Sequence, residues 1–269
     1  MQHYAVLGQP VAHSLSPLIH KGWMKDYNLA ADYVAIEVPK DGFGPIMGDL
    51  VAEGYLGFNV TLPHKGHAFN WAGSLTKRAQ KIGAVNTLSR QADETWRGDN
   101  TVAPGFPQAL VQLTGAELAG KTITIIGAGG AARALVYSLD AAGAKINLVN
   151  RTKAKAEQLL RAYGMKDHKA LGLDALKASA DISDICVNTA SLGYDAATLD
   201  LPDGQEKLFY DISYGKAAAQ QLQLAARQNW QTADGLSMLV YQAAISFEIW
   251  FGLRPDPGAA FRRIHAKEA

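Results

Sequence analysis

The chain has 269 residues, with 26 Lys and Arg against 25 Asp and Glu; a formal net charge of +1 offers no general attraction for nucleic acid or an anionic membrane. A hydrophobic fraction of 48% with 19% charged residues is globular composition and argues against global disorder. The single cysteine, Cys186, excludes an internal disulfide and a multi-cysteine metal centre, and the length suits one large domain or two modest ones.

The opening MQHYAVLGQPVAH has no basic n-region and no long apolar run, and later apolar stretches are broken by Arg133, Asp140, Gln242 and Glu248. The expectation is a cytoplasmic protein without a secretory signal or membrane span. Residues 4–8 (YAVLG) read as a buried strand stopped by Gly8 and Pro10. Ser16-Pro17 then opens a helix, with serine at the cap and proline at the first helical position. Residues 32–38 (DYVAIEV) form a second strand, 43–51 a helix and 55–60 (YLGFNV) a third strand, an alternation that points to parallel β-α units. A turn-rich stretch with Gly83, Asn86, Gly98 and Asn100 follows, and a domain boundary is expected near residue 100. Beyond it, KTITIIGAGG is a β-branched run ending in glycines, followed by helical composition at 131–142. Strands are expected at 146–149, 184–188 and 208–212, with a charged helix at 153–163. From Gly235 the chain reads as helical until Pro255 and Pro257 interrupt it before a final helix.

Gly127, Gly129 and Gly130 lie directly between a strand and a helix, where glycines bring backbone N–H groups against a pyrophosphate and the helix N-terminus favours it. Ala132 takes the place of the third glycine, and a tight turn with no ligand is the alternative. The next strand ends in Val149-Asn150-Arg151-Thr152. An acidic residue there would suit the ribose hydroxyl of NAD; Arg151 suits the extra phosphate of NADP.

Three segments combine turn residues with polar side chains: Ser14-Leu15-Ser16-Pro17, the run from Asn59 to Lys65 (NVTLPHK), and Ala84-Val85-Asn86-Thr87. Hydroxyls and amides converging at strand ends suit a small polyhydroxylated acid, and a desolvated lysine can transfer protons. Taken singly, Ser16 is also a helix cap, Asn59 and Asn86 turn formers, and Lys65 a surface charge. His64 and His67 read as a solvated or structural pair without a third ligand, so no metal is expected. Trp250 and Phe247 read as core residues, and Ser74-Leu75-Thr76-Lys77 is too short an S-x-x-K match to carry weight.

In order and spacing, GQPVAHSLSP, GFNVTLPHK, GAVNTL, GAGGAARA, NRT and GLSMLVYQAAISFEIWFG resemble the shikimate dehydrogenase family, over nearly the whole chain. The resemblance implies an α/β protein of two domains. Residues 1–100 plus 235–269 would form an N-terminal substrate domain with a parallel-rich sheet, to which the C-terminal helices return. Residues 101–234 would form a Rossmann domain holding NADP, with shikimate between the two. The implied reaction is reversible reduction of 3-dehydroshikimate to shikimate by NADPH, in a monomer or homodimer. By motif, Ser14 and Ser16 would bond the substrate carboxylate, Asn59, Thr61 and Asn86 its hydroxyls, and Lys65 would be the catalytic lysine. Gln242 and Tyr214 match pocket residues. Gly127, Gly129, Gly130, Ala131, Asn150, Arg151 and Thr152 would contact NADP, with Gly235 and Met238 near the nicotinamide.

The chain departs from the family at Asn100-Thr101-Val102-Ala103-Pro104-Gly105, where N-T-D-x-x-G is the family pattern. In that pattern the aspartate pairs with the lysine and touches a substrate hydroxyl; here Val102 stands in its place, and Asp99 is not an obvious substitute. Drift, divergence and a deliberate change are all open origins. Impaired turnover is expected, with a weakly catalytic NADP/shikimate binder, or a dehydrogenase of quinate or an aminated analogue, as alternatives. Asn188-Thr189-Ala190-Ser191 reverses the usual Ala-Thr order, and Tyr214-Gly215-Lys216 lacks a downstream proline and threonine.

Overall fold

A computed structural model describes residues 1–190 and 198–268. In chain order the first elements are β1 (Gln2–Gly8), α1 (Ser16–Asp26), β2 (Ala31–Glu37), α2 (Phe43–Ala52), β3 (Tyr55–Val60), α3 (Lys65–Trp71), β4 (Ser74–Leu75), α4 (Lys77–Ile82), β5 (Thr87–Arg90) and β6 (Trp96–Asp99). There follow α5 (Val102–Thr114), β7 (Thr122–Ile126), α6 (Gly130–Ala141), β8 (Lys145–Asn150), α7 (Lys153–Tyr163), β9 (Lys169–Gly172), α8 (Leu176–Asp181) and β10 (Ile185–Asn188). The chain continues through β11 (Leu208–Asp211), α9 (Lys216–Arg227), β12 (Gln231–Ala233), α10 (Leu236–Phe251) and α11 (Pro257–Glu268).

Two compact units result, one of residues 1–105 together with those from 239 onward, the other of residues 106–238. The divides fall inside α5 and α10 rather than at residues 100 and 235. The reason is that the turn-rich stretch before residue 100 is itself sheet: β5 pairs antiparallel with both β3 and β6, which keeps the chain in the first unit past Asp99.

The first unit is built on a sheet of order β2-β1-β3-β5-β6-β4. Its β1, β2 and β3 are parallel, as the strand–helix alternation predicts, whereas β5 makes the sheet mixed. One face packs Leu7, Phe58, Val60, Met47, Val85 and Leu88 into an apolar core. The C-terminal helices belong to this unit because Trp23 Nε1 donates to Asp256 O (3.0 Å) and Tyr27 Oη to Arg254 O (2.9 Å). Trp250 completes the packing, its Nε1 donating to Leu88 O (3.1 Å). Gly57 makes room for it, since a Cβ there would lie 2.5 Å from Trp250 Nε1 and 2.8 Å from Tyr4 Cδ1.

The second unit carries six parallel strands in the order β12-β11-β10-β7-β8-β9. Counting from β7, this is the doubly wound order with its switch point between β7 and β10, where such sheets bind dinucleotides. Ile126, Val149, Cys186 and Phe209 pack beneath it with Trp230. Among the described residues no helix is long and apolar enough to cross a membrane.

Gly57→Ala should lower stability by about 1–3 kcal/mol through overpacking, read as a lower denaturant midpoint at unchanged slope.

Candidate functional site

In the first unit, antiparallel pairing puts Thr87 opposite Asn59 and so brings the NVTLPHK and AVNT segments together. Asn59 Oδ1 accepts from Tyr33 Oη (2.8 Å), and its Nδ2 donates to Ser246 Oγ (2.9 Å) and Thr87 Oγ1 (3.3 Å). Asn86 Nδ2 donates to Thr101 Oγ1 and Gln242 Oε1, both at 2.9 Å, while its Oδ1 accepts from Thr101 N (2.7 Å). Ser246 stands one helical turn after Gln242; it donates to Gln242 O (3.1 Å) and lies 2.9 Å from Thr87 Oγ1 and 3.1 Å from Thr101 Oγ1. A Cβ at Gly105 would fall 2.8 Å from Gln242 N, so this glycine lets α5 close on the helix carrying the glutamine.

The structure thus brings together Asn59, Asn86 and Gln242, and what joins them was not marked in the sequence. Ser246 was legible only as a polar residue at helical spacing from Gln242, and Tyr33 looked like any strand aromatic. Tyr33 is stacked on His20 with ring centroids 4.4 Å apart. Burial lowers the pKa of His20 to about 3, so the ring is neutral at physiological pH.

Lys65 opens α3, and its carbonyl accepts from Val85 N (3.0 Å), which ties the lysine to the segment carrying Asn86. Burial lowers its pKa to about 8. Among the described residues it makes no ion pair. The adjacent histidines are structural. His64 Nε2 faces Val38 O at 2.7 Å and so carries the proton, and its Nδ1 accepts from His67 Nδ1 at 3.1 Å.

Ser16 is not the helix cap. Leu15 occupies that position with no side-chain cap bond, and Ser16 N instead donates to Ser14 Oγ (3.2 Å). Thr61 follows β3 and is bonded to β1 through its N–H to Leu7 O (2.9 Å). Val102 is 1% exposed at the start of α5. Asp99 is engaged elsewhere, accepting from Thr76 Oγ1 (2.7 Å), Arg78 Nε (2.6 Å) and Asn100 N (2.7 Å), which leaves it no freedom to replace an acid at position 102.

In the second unit, β7 runs into a turn at Gly127, whose φ of +109° is a left-handed conformation that favours glycine. A Cβ there would also lie 2.5 Å from Thr189 Oγ1. Gly129 precedes α6 with no side-chain cap, so the first N–H groups of the helix, from Gly130 and Ala131 on, are open to an anion. Among the described residues, nothing lies within 4 Å of a Cβ built on Gly129 or Gly130. The next strand ends at Asn150, whose Nδ2 donates to Thr152 O (2.9 Å), and Arg151 beside it is exposed. Lys153 pairs with Glu157 at 3.7 Å on the solvated face of α7.

Gly235 N donates to Ser213 O (2.8 Å), and a Cβ on Gly235 would lie 2.0 Å from Ile212 O. Met238 is buried, with its N–H donating to Tyr210 Oη (3.2 Å). Tyr214, partly buried, follows β11 in the same unit. Ser191 lies outside the described residues. Among the described residues no group of three or more His, Cys, Asp or Glu is arranged to hold a metal ion.

Comparison with known proteins covers the chain from end to end. A family profile for the shikimate dehydrogenase substrate binding domain matches residues 6–88, one for shikimate / quinate 5-dehydrogenase matches 109–223, and one for the shikimate 5'-dehydrogenase C-terminal domain matches 235–260. The shikimate dehydrogenase (NADP(+)) of Hyphomonas neptunium is 44% identical over 261 residues, 96% of this chain and 94% of the relative. A crystal structure of a shikimate dehydrogenase in complex with NADP+ superposes with a TM-score of 0.88 at 32% identity, covering 100% of this chain and 96% of that one. The Thermus thermophilus enzyme in complex with NADP(H) and shikimate gives 0.85 at 33% identity, with 99% of each chain covered. By its profiles, by this relative and by both structures, the chain belongs to the shikimate dehydrogenase family.

Proposed function

We propose that this chain is an NADP-dependent shikimate dehydrogenase, reducing 3-dehydroshikimate to shikimate reversibly. The observation that carries the reading is Lys65, a half-buried lysine with a lowered pKa and no carboxylate partner among the described residues, tied to the segment that bears Asn86. In this reading Ser14 and Ser16 offer hydroxyls to the substrate carboxylate, and Thr61 and Gln242 meet its hydroxyls. Gln242 Oε1 is taken by Asn86, which leaves its amide N–H groups for a ligand. Asn59 and Asn86 already commit their donors within the protein, Asn59 to Ser246 and Thr87 and Asn86 to Gln242 and Thr101, so each reaches a substrate hydroxyl only by exchanging one of those bonds.

The second unit fits NADP on its own geometry: a glycine turn against Thr189, an uncapped helix N-terminus, and an exposed guanidinium after β8 where an acidic residue would favour NAD. Gly127, Gly129, Gly130 and Ala131 would cradle the phosphates, Asn150, Arg151 and Thr152 the adenosine end, and Gly235 and Met238 the nicotinamide end. Bound NADPH supplies the hydride for ketone reduction. Lys65 in its ammonium form donates a proton to the developing alkoxide, and in its amine form accepts the proton when the alcohol is oxidised.

The sign of the pH dependence follows. With a pKa of about 8, Lys65 is charged below that pH and neutral above it. Ketone reduction should therefore slow as pH rises through about 8, while alcohol oxidation should quicken over the same range, both read from NADPH absorbance.

Val102→Asp restores an acceptor beside the site, and a charge-assisted hydrogen bond of about 1.5–3 kcal/mol corresponds to a roughly tenfold to 150-fold gain in kcat/KM. The added anion should also move the Lys65 transition to higher pH. Val102 itself favours one second reading, a binder with little turnover; equal and negligible rates in both proteins, with shikimate and NADP+ still bound, would establish it.

Arg151→Asp should reduce the preference for NADP+ over NAD+ by about tenfold or more in kcat/KM. An unchanged preference would remove Arg151 from the cofactor site.

A further inference from the structure

Asp211 ends β11 and is 2% exposed, a buried carboxylate that the proton chemistry of Lys65 does not use. Strand register places it opposite Asn188 at the end of β10, and Asn188 opposite Ile126 at the end of β7. Three residues thus form one row across the sheet, at the edge where the glycine turn begins. The row is hydrogen-bonded in one direction. Asp211 Oδ2 accepts from Asn188 Nδ2 (2.8 Å), and Asp211 Oδ1 accepts from Ser213 N (2.8 Å). Asn188 Oδ1 in turn accepts from Ala190 N (3.0 Å) and shapes the turn that follows β10. Within that turn Thr189 is fastened twice to Ile126 O, through its N–H (2.8 Å) and its Oγ1 (2.7 Å). Its Oγ1 is the atom that would lie 2.5 Å from a Cβ at Gly127.

We infer that Asp211 is a positioning residue for the cofactor turn, acting through Asn188 and Thr189 to hold the wall against which Gly127 is folded. The inference rests on the NADP reading of that turn given above. A group that accepts at both oxygens suits the place, because each oxygen faces an N–H donor, with the Ser213 side chain as a further partner. An asparagine introduced at position 211 must turn its own NH₂ toward either Asn188 Nδ2 or Ser213 N, and one pair of donors is then left facing each other. Burial, and to a lesser degree the nearby Asp234, push the Asp211 carboxyl upward, while the bonds from Asn188 and Ser213 oppose that rise.

The test is NADP+ binding to the full chain by titration calorimetry, beside KM for shikimate at saturating NADP+. Asp211→Asn should weaken NADP+ binding by about tenfold or more while KM for shikimate changes by less than about twofold. The exchange Asn188→Asp with Asp211→Asn rebuilds the row with donor and acceptor reversed. The carboxylate moved to position 188 accepts from Ala190 N and from the amide now at position 211, whose oxygen accepts from Ser213 N; the one bond not rebuilt is that from Asn188 Nδ2 to Ala190 O (3.2 Å). The exchange should recover most of the lost affinity, which a general loss of fold stability would not predict. Thr189→Val touches only the wall of the turn and should weaken NADP+ binding whether or not Asp211→Asn folds. Wild-type affinity in Asp211→Asn or in Thr189→Val overturns the inference, as does an exchange variant no better than Asp211→Asn. Failure of the wild-type chain to bind NADP+ overturns the cofactor reading and this inference with it.

Discussion

The first unit depends on a buried hydroxyl, that of Ser246. A serine in the middle of an apolar helix is a cost unless its oxygen is satisfied, and here it is satisfied by Asn59, Thr87 and Thr101 as well as by its own helix. The partners come from β3, from β5 and from the loop entering α5, so one oxygen fixes the meeting point of three separate segments. Asn86 and Gln242 are then oriented as neighbours of that point rather than independently. The glycine at 105 is the steric counterpart, since only its bare backbone lets α5 come close enough to Gln242.

The second unit solves its positioning problem differently. Its strands are all parallel, so their C-terminal ends share one edge, and side chains in the same register reach one another sideways along it. The glycine turn needs no side chain of its own; backbone N–H groups and an uncapped helix provide the attraction, and the adjoining strands provide the shape. Conformational freedom at Gly127 is thus confined by neighbours that carry ordinary polar groups.

Much of this architecture was legible in the sequence because it rests on local chemistry. The run TITII followed by glycines, the helix at 153–163 and the strand at 55–60 are each dictated by periodicity and breakers within a few residues. What escaped was non-local. The strands at Thr87–Arg90 and Trp96–Asp99 are short, carry turn formers at their ends, and become strands only by pairing with each other and with β3. The serine cap at position 16 fails for a related reason: Ser14 bends back to take the Ser16 N–H, a choice that composition alone does not reveal. Asn59 and Asn86 stood out as amides at strand ends and Gln242 only through the resemblance, whereas the residues that join them, Tyr33, Thr101 and Ser246, look ordinary until tertiary contacts are known.

The route of the chain has a consequence for how the protein is made. The first unit begins at residue 1 yet is completed only by residues from 239 onward, whereas the second is continuous from 106 to 238. During synthesis the later-starting unit is the first to have all its residues available. The earlier one waits with the sheet surface that will receive Trp250 uncovered, and Gly57 and Leu88 exposed where the indole will sit. The second unit can therefore close while the first still lacks the helix that carries Trp250.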